Sequence, residues 1–356
     1  MNPAVTTHLE PVTVSVRPHL RHLWRLSTPL GLYEHCDRTN PRVEHGYCTD
    51  DSARLLVLAA REPGDAFVET LAERAVRFLE HAHRGRGRFA NRRDTNGVWL
   101  DNGCDDDACG RALWGLGEAA SSSLPEDVRA RAVRLFDHAA EFRSRHLRST
   151  AFAVLGAARV LAAVPESFTA RAVLTDAARR WAESPTNGNG SGRRRRWPWP
   201  EERLTYGNAV IPEMLLVAGA ATGDRRMYAA GIELLRWLVD TETGRSGWLS
   251  VTPAGGWAPG EPRPGFDQQP IEVAALADAA ATAARLDGAT AWRDVVDLSA
   301  RWFLGHNDVG APMVDWATGG GFDGLTPTGP NLNEGAESTM AAITTMQHAR
   351  RMLHLS

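Results

Sequence analysis

CDDDACGRALWGLGEAASSSLPEDVRARAVRLFDHAAEF (Cys104–Phe142) reads as a helical hairpin. An acidic cluster opens it, and apolar residues then recur at helical spacing as far as Ala120. SSSLP makes a short turn, and Glu126 begins a second, more heavily charged amphipathic stretch. The opening half of this unit recurs along the chain: HGYCTDDSARLLVLAA from His45, RSTAFAVLGAARVLAA from Arg148, LTYGNAVIPEMLLVAGAA from Leu204, FDQQPIEVAALADAAA from Phe266 and NEGAESTMAAITTMQHA from Asn333. With the one at Cys104 that makes six polar starts, each leading into an apolar segment of helix length.

The first five segments are each followed, after a short connection, by a second amphipathic stretch: Ala66 to His83, Glu126 to Phe142, Ser167 to Glu183, Asp224 to Val239 and Ala289 to Leu304. First members are rich in Ala, Leu and Gly and second members in charge, as in ERAVRFLEHAHR, so the first set belongs to an inner ring and the second to an outer ring. The sixth segment has no follower, but VRPHLRHLWRL (Val16–Leu26) is an unpaired amphipathic helix that can dock there. The expected fold is all-α, an (α/α)6 toroid of six hairpins formed by residues 1–356 as one barrel domain, with 1–15 an irregular N-terminal segment. Asp50 or Asp51, Asp105, Ser149, Thr205 and Asp267 are the expected N-caps, and Gly223 and Gly288 the stops.

The connections are unequal. Inner-to-outer turns are about two to six residues, whereas four of the five returns run to roughly twenty or more, a length usually reserved for function or disorder. Six of the 12 tryptophans, Trp99, Trp197, Trp199, Trp248, Trp257 and Trp316, fall in these returns, which argues for structured loops over a polar cavity. Such tryptophans either stack on sugar faces or pin the loops to the barrel.

A net charge of -3 and 23% charged residues disfavour a general nucleic-acid or acidic-membrane binder. No apolar run approaches the roughly 20 residues that span a bilayer. The first residues, MNPAVTTHLEPVTVSV, lack the basic and apolar parts of a secretion signal, so the expected location is cytoplasmic. Four cysteines are too few for a disulfide scaffold. Cys36, His45, Cys48, Cys104 and Cys109 show no CxxC or HxxxH spacing, so neither a metal nor any other cofactor is expected. GGGFDG (Gly319–Gly324) matches a dinucleotide fingerprint literally but leads into TPTGP rather than a helix, and reads as a turn. Asn189–Gly190–Ser191 is a formal glycosylation sequon, and Arg193–Arg196 reads as a solvated loop tip.

Carboxylates carry the chemical signal. Glycoside cleavage needs one carboxyl as proton donor and one as base or nucleophile. Acids at helix starts also serve as caps, so position must separate the two uses. Asp51 and Asp106 are each the second acid of a run, leaving the first free to cap, and Glu272 lies past Pro270 in the first turn of its helix. These three are the candidate catalytic residues. Glu337 follows, with Glu334 as cap. Arg54 and Arg111 stand where they can orient Asp51 and Asp106. Asp50, Asp105, Tyr206, Asn208, Asp267, Gln268, Gln269, Glu334, Glu337, Arg54, Arg111 and His45 are the candidate substrate contacts, with Trp99 and Trp197 as stacking residues.

HGYCTDD, LTYGNAVIPEMLL, FDQQPIEVAALADA and TGGGFDGLTPTGPNLNEGAEST resemble motifs of a bacterial family in the six-hairpin (α/α)6 glycosidase superfamily, found beside or fused to nucleotide-sugar glycosyltransferases. The resemblance covers the chain from about Leu32 onward. It implies a carbohydrate pocket at the mouth of the inner ring, an oligosaccharide or glycoside as substrate, and a glycosyltransferase as a partner. One departure is Gly207, where the pattern has an acid before Asn208. The favoured activity is an inverting glycoside hydrolase. Alternatives are a phosphorylase, a sugar epimerase that would need a pocket histidine such as His45, and a non-catalytic sugar-binding module.

Overall fold

The computed structural model describes residues 20–62, 64–103, 105–183 and 197–353. The expectations placed on residues 1–15, the sequon at Asn189, Arg193–Arg196 and Cys104 lie outside these. Twelve helices are present among the described residues: α1 Arg21–Leu26, α2 Thr49–Ala60, α3 Ala66–Ala82, α4 Asp106–Ala120, α5 Glu126–Ala139, α6 Leu147–Ala163, α7 Phe168–Glu183, α8 Val210–Thr222, α9 Arg225–Glu242, α10 Pro270–Asp287, α11 Ala291–Phe303 and α12 Ala336–Leu353. The even-numbered helices pack in the order α2, α4, α6, α8, α10, α12 and back to α2, so the inner ring closes. Each outer helix leans on its inner partner, and α1 packs on α12 to complete the sixth pair. This is an (α/α)6 toroid.

Burial follows the expected assignment of rings. On α2, Leu55 through Ala59 are all buried, as befits a helix with neighbours on every side. On α5 only the stripe Val128, Ala132, Leu135, Phe136 and Ala139 is buried, the face of an outer helix. Each fully buried leucine, such as Leu56, Leu113 and Leu116, contributes about 1.5–3 kcal/mol.

Turns of two to five residues join inner helix to outer helix at one end of the ring, here called the rear. The returns 83–105, 184–209, 243–269 and 304–335 arrive at the other end, the mouth, and only 140–146 is short. Their described parts hold short antiparallel ribbons, for example Val314–Asp315 with Gly320–Gly321 and Gly324–Thr326 with Gly329–Asn331. The glycine run from Gly319 therefore belongs to ribbons and turns. No helix among the described residues is long and apolar enough to cross a membrane.

Helix boundaries correct several expected caps. Asp105 does cap α4, accepting from the N–H groups of Asp107 and Ala108, and Gly223 and Gly288 stop α8 and α10 in the left-handed conformation. Asp50 and Asp51 lie inside α2, whose cap is Cys48: its sulfur accepts from the Asp51 N–H at 3.4 Å and its thiol lies 3.3 Å from Asp51 Oδ2 as donor. The helix starts earlier because a thiol with extended backbone performs the capping task. Ser149 is likewise inside α6, Thr205 precedes α8 by a full turn, and Gln269 rather than Asp267 precedes α10.

Three inner helices approach unusually closely. A Cβ added to Gly117 would lie 2.2 Å from the Gly156 carbonyl oxygen, and one added to Gly156 would lie 2.1 Å from the Leu113 carbonyl oxygen. Gly110 against Ser149 and Gly115 against Ala53 extend this seam across α2, α4 and α6.

Candidate active site

At the mouth the ring surrounds a narrow cavity of about 50 Å³ whose lining includes Arg54, Arg111, Trp114, Phe152, Gly207 and Glu337. Helical spacing puts them there. Asp50, Arg54 and Val57 stand at helical spacing on α2, with Arg61 following at its C-terminal cap, and Asp107, Arg111, Trp114 and Glu118 share one face of α4. Trp114 stacks on Phe152 with ring centroids 5.5 Å apart, and the Arg111 guanidinium lies 4.1 Å from the Phe152 ring centre. The floor is thus aromatic and the rim charged.

Asp50 is the least compensated acid of the rim. Its Oδ1 is shut off from solvent and has no hydrogen-bond partner in the protein. Burial pushes its pKa above the ordinary carboxylate value, against the pull of Arg54 and Arg111. Asp51, by contrast, is fully engaged: Oδ1 takes Arg54 Nη1 at 2.8 Å and Oδ2 the Cys48 thiol. Burial moves the Asp51 pKa up to about 7, with Arg54 opposing. Arg54 also reaches Glu337 of α12 at 2.5 Å, so it ties α2 to α12 at the rim.

In the triplet on α4 the third acid faces the ring. Asp107 Oδ2 pairs with Arg111 Nε at 2.9 Å, and Tyr206, ahead of α8, lies near enough for burial and then the Asp107 charge to push its pKa up to about 12. Asp106, expected to face the cavity, turns away and accepts from the Ser144 hydroxyl at 2.6 Å; with Asp105 as cap, the helix rotation sends position 106 toward the α5–α6 return. Beside the central cavity a groove of about 560 Å³ runs past Asp105–Asp107, His146, Arg148, Glu201 and Tyr206.

Glu272 holds the wall together. The start of α8 has no capping side chain of its own, and the Glu272 carboxylate accepts from the N–H groups of Gly207 and Asn208 and from the Asn208 amide at 3.1 Å. Burial pushes its pKa up to about 8, opposed by those donors. Asn208 is fully buried and committed, its Oδ1 accepting from Arg148 Nη2 at 3.1 Å and from the Thr205 N–H at 3.0 Å. Gly207, the departure from the family pattern, has φ +54, which favours glycine, and faces the cavity.

Other expected contacts stand elsewhere. His45 is exposed on the loop rim, 3.7 Å from Glu44 and edge-on to His35. Trp99 is held between the guanidinium groups of Arg84 and Arg93 and meets the edge of Phe78, behind the ring. Trp197 packs edge-on against Trp237 and Trp257 and donates to the Glu201 carbonyl. Both tryptophans pin loops. Gln268 is buried toward α11, where Trp302 and Asp308 engage its amide, and Gln269 precedes α10. Asp267 is exposed beside Gly324. Glu334, expected as the cap of α12, lies behind that helix with Thr318 at 2.8 Å and His22 at 3.6 Å.

Two participants escaped the motif reading. Arg148 binds the Tyr206 carbonyl, Glu201 at 2.7 Å and Asn208, and so fastens the groove to α6. Trp114 supplies the floor, and its place seven residues after Asp107 on one helix face was the available signal.

No family profile matches the chain, and no curated protein sequence does. Solved structures do match. A cellobiose 2-epimerase from Spirochaeta thermophila DSM 6192 superposes with TM-score 0.66, covering 94% of this chain and 94% of its own at 15% identity. A D-mannose isomerase gives TM-score 0.66 over 95% of each chain at 13% identity. A GH76 α-mannanase from Bacteroides thetaiotaomicron gives TM-score 0.63 over 94% of this chain and 95% of its own at 13% identity. At such identities the likeness shows the shared (α/α)6 fold.

Proposed function

We propose that the chain is a carbohydrate-active enzyme working at the mouth of the ring, and that it is an inverting glycoside hydrolase. The observation that carries this reading is Asp50, whose buried Oδ1 lacks a partner although the Arg54 and Arg111 charges, both lining the cavity, act on it. A carboxyl whose pKa burial raises is better suited than an ordinary one to giving a proton to a leaving glycosidic oxygen. Asp107 on the neighbouring helix, paired with Arg111, supplies the second carboxyl and activates water. The adjoining groove offers carboxylate, hydroxyl and guanidinium groups to sugar hydroxyls. Asp51 and Glu272 take positioning roles in this scheme: Asp51 fixes Arg54, and Glu272 fixes the wall that carries Tyr206 and Gly207. The names of the neighbouring folds, which include an α-mannanase, add support.

Sugar epimerisation is the second reading. The epimerase and isomerase among the neighbours support it, as does His146 at the edge of the groove. The central cavity lining contains no histidine among the described residues, which favours the acid pair. The motif resemblance supports a nucleotide-sugar glycosyltransferase as partner, which co-purification tests.

A panel of disaccharides and aryl glycosides, followed by NMR in D2O with and without phosphate, decides between these activities. Hydrolysis with inverted anomeric configuration, lost in Asp50→Asn, is the expected result. Deuterium entering the sugar at C2 would establish epimerisation, and turnover that survives Asp50→Asn would remove Asp50 from the reaction.

A further inference from the structure

Below the aromatic floor the lumen continues into a second chamber of about 620 Å³ at the rear, where the inner helices end. Trp114, Leu155, Glu213 and Asp278 border both spaces. One bank of the chamber is polar. Arg61, at the C-terminal cap of α2, reaches Asp278 Oδ1 at 2.5 Å and Glu118 at 3.3 Å, and its guanidinium lies 5.9 Å from the Trp114 ring centre. His348 Nε2 also meets Asp278 Oδ1 at 2.5 Å, which leaves Oδ2 uncommitted, and Thr282 donates to Glu213 at 2.7 Å. The other bank, with Ala162, Val217 and Ala220, is apolar.

Charges of both signs border this space and offset one another. The C-termini of six inner helices bring partial negative charge, to which Glu118 and Asp278 add. Arg61, Arg159, Arg285 and Arg351 border the same space and balance it. Burial holds the His348 pKa below its ordinary value, so near pH 7 the ring is neutral and both donates and accepts. What fits is an uncharged molecule rich in hydroxyl groups, each able to accept from a guanidinium and donate to a carboxylate, with an apolar face for the indole and alanine bank. The volume lies within the roughly 300–1,000 Å³ of small-molecule sites.

We propose that the rear chamber is a second saccharide site, separate from the mouth, that binds a neutral mono- or disaccharide through Arg61, Asp278, Glu118 and His348 beside Trp114. It stands whether or not the mouth hydrolyses glycosides, because it concerns binding alone.

The test is saturation-transfer NMR with D-mannose and cellobiose on Asp50→Asn, and on the same chain carrying Ala220→Trp or Ala162→Trp. Both alanines are exposed at the chamber wall, so an indole there takes up chamber space. Each plugged chain is expected to lose the rear chamber's share of the transfer signal and to keep the share from the mouth. With Asp50 restored, any turnover at the mouth should stay within about twofold, because neither alanine lines the mouth cavity. Ala220→Cys provides an independent reading: saccharide should slow its alkylation by maleimide relative to the unmodified chain. Undiminished transfer in both plugged chains, or no protection of Ala220→Cys, would show the network to be a structural lock only. Displacement of the sugar by inorganic phosphate would make the chamber an anion site and overturn the proposal as well.

Discussion

The two ends of the inner ring carry similar side chains to different effect. At the rear the charges compensate one another: Arg61 is shared by Asp278 and Glu118, and Arg159 also pairs with Glu118 at 3.1 Å. At the mouth they do not: the Arg54 Nη atoms pair with Asp51 and Glu337, while its Nε and the Asp50 Oδ1 both stay unpartnered. A compensated network holds structure and can receive a neutral guest. An uncompensated acid in a dry place stores the means to move a proton. The difference lies in pairing, not composition, and pairing depends on which residue caps each helix.

Substitutions at the two ends should therefore fail in different ways. Asp50→Asn is expected to lower kcat by about 10³-fold or more while leaving the melting temperature nearly unchanged; an equal loss of stability would put Asp50 among the structural acids. Arg61→Ala should do the reverse, destabilising the fold by about 3–5 kcal/mol in urea titrations because Asp278 and Glu118 lose their buried partner. A mild effect there would mean that the rear network is as loosely held as the mouth.

The third contrast is with pH. Burial beside Asp278 pushes the Glu213 pKa up to about 8, above that of the unfolded chain. A raised carboxyl stabilises the fold fully below its unfolded pKa, and this contribution is lost as pH rises through about 8. Glu213→Gln should accordingly flatten the fall in stability between pH 5 and pH 9 by about 1–3 kcal/mol, read from denaturation midpoints. A variant that falls as steeply would remove Glu213 as the source. The smallest effect belongs to Asp105→Ala, a lost N-cap worth about 1 kcal/mol. It should lower stability and reduce turnover far less than Asp50→Asn does, as expected if one acid of the triplet caps while Asp107 pairs with Arg111.

The hairpins, the inner and outer rings and the loop-rich mouth were all readable in the sequence, because each rests on apolar spacing and turn length within one segment. The inward acids were only half readable. At α4 the reasoning that the first acid caps was sound, but the next acid faces away and the third faces in, since helix rotation advances about 100° per residue. At α2 the same reasoning failed because Cys48, rarely a cap, displaced Asp50 from that task. Glu272 looked available for chemistry because its use depends on Gly207 and Asn208, some 65 residues distant in sequence and adjacent only once the ring closes. The loop tryptophans offered two uses at equal weight, and those at 99 and 197 turn to packing.

The glycine seam between α2, α4 and α6 sets where this barrel can change. A side chain at Gly117 or Gly156 would collide with backbone, so variation on that flank is closed to single substitutions. The flank formed by α8, α10 and α12 has no comparable seam among its inner-facing positions, and alanines at 220, 274 and 281 line the lumen there. Selection or design that widens or narrows the lumen for a new substrate would therefore begin on α8 and α10, with the fixed flank serving as the template against which new shapes are tried.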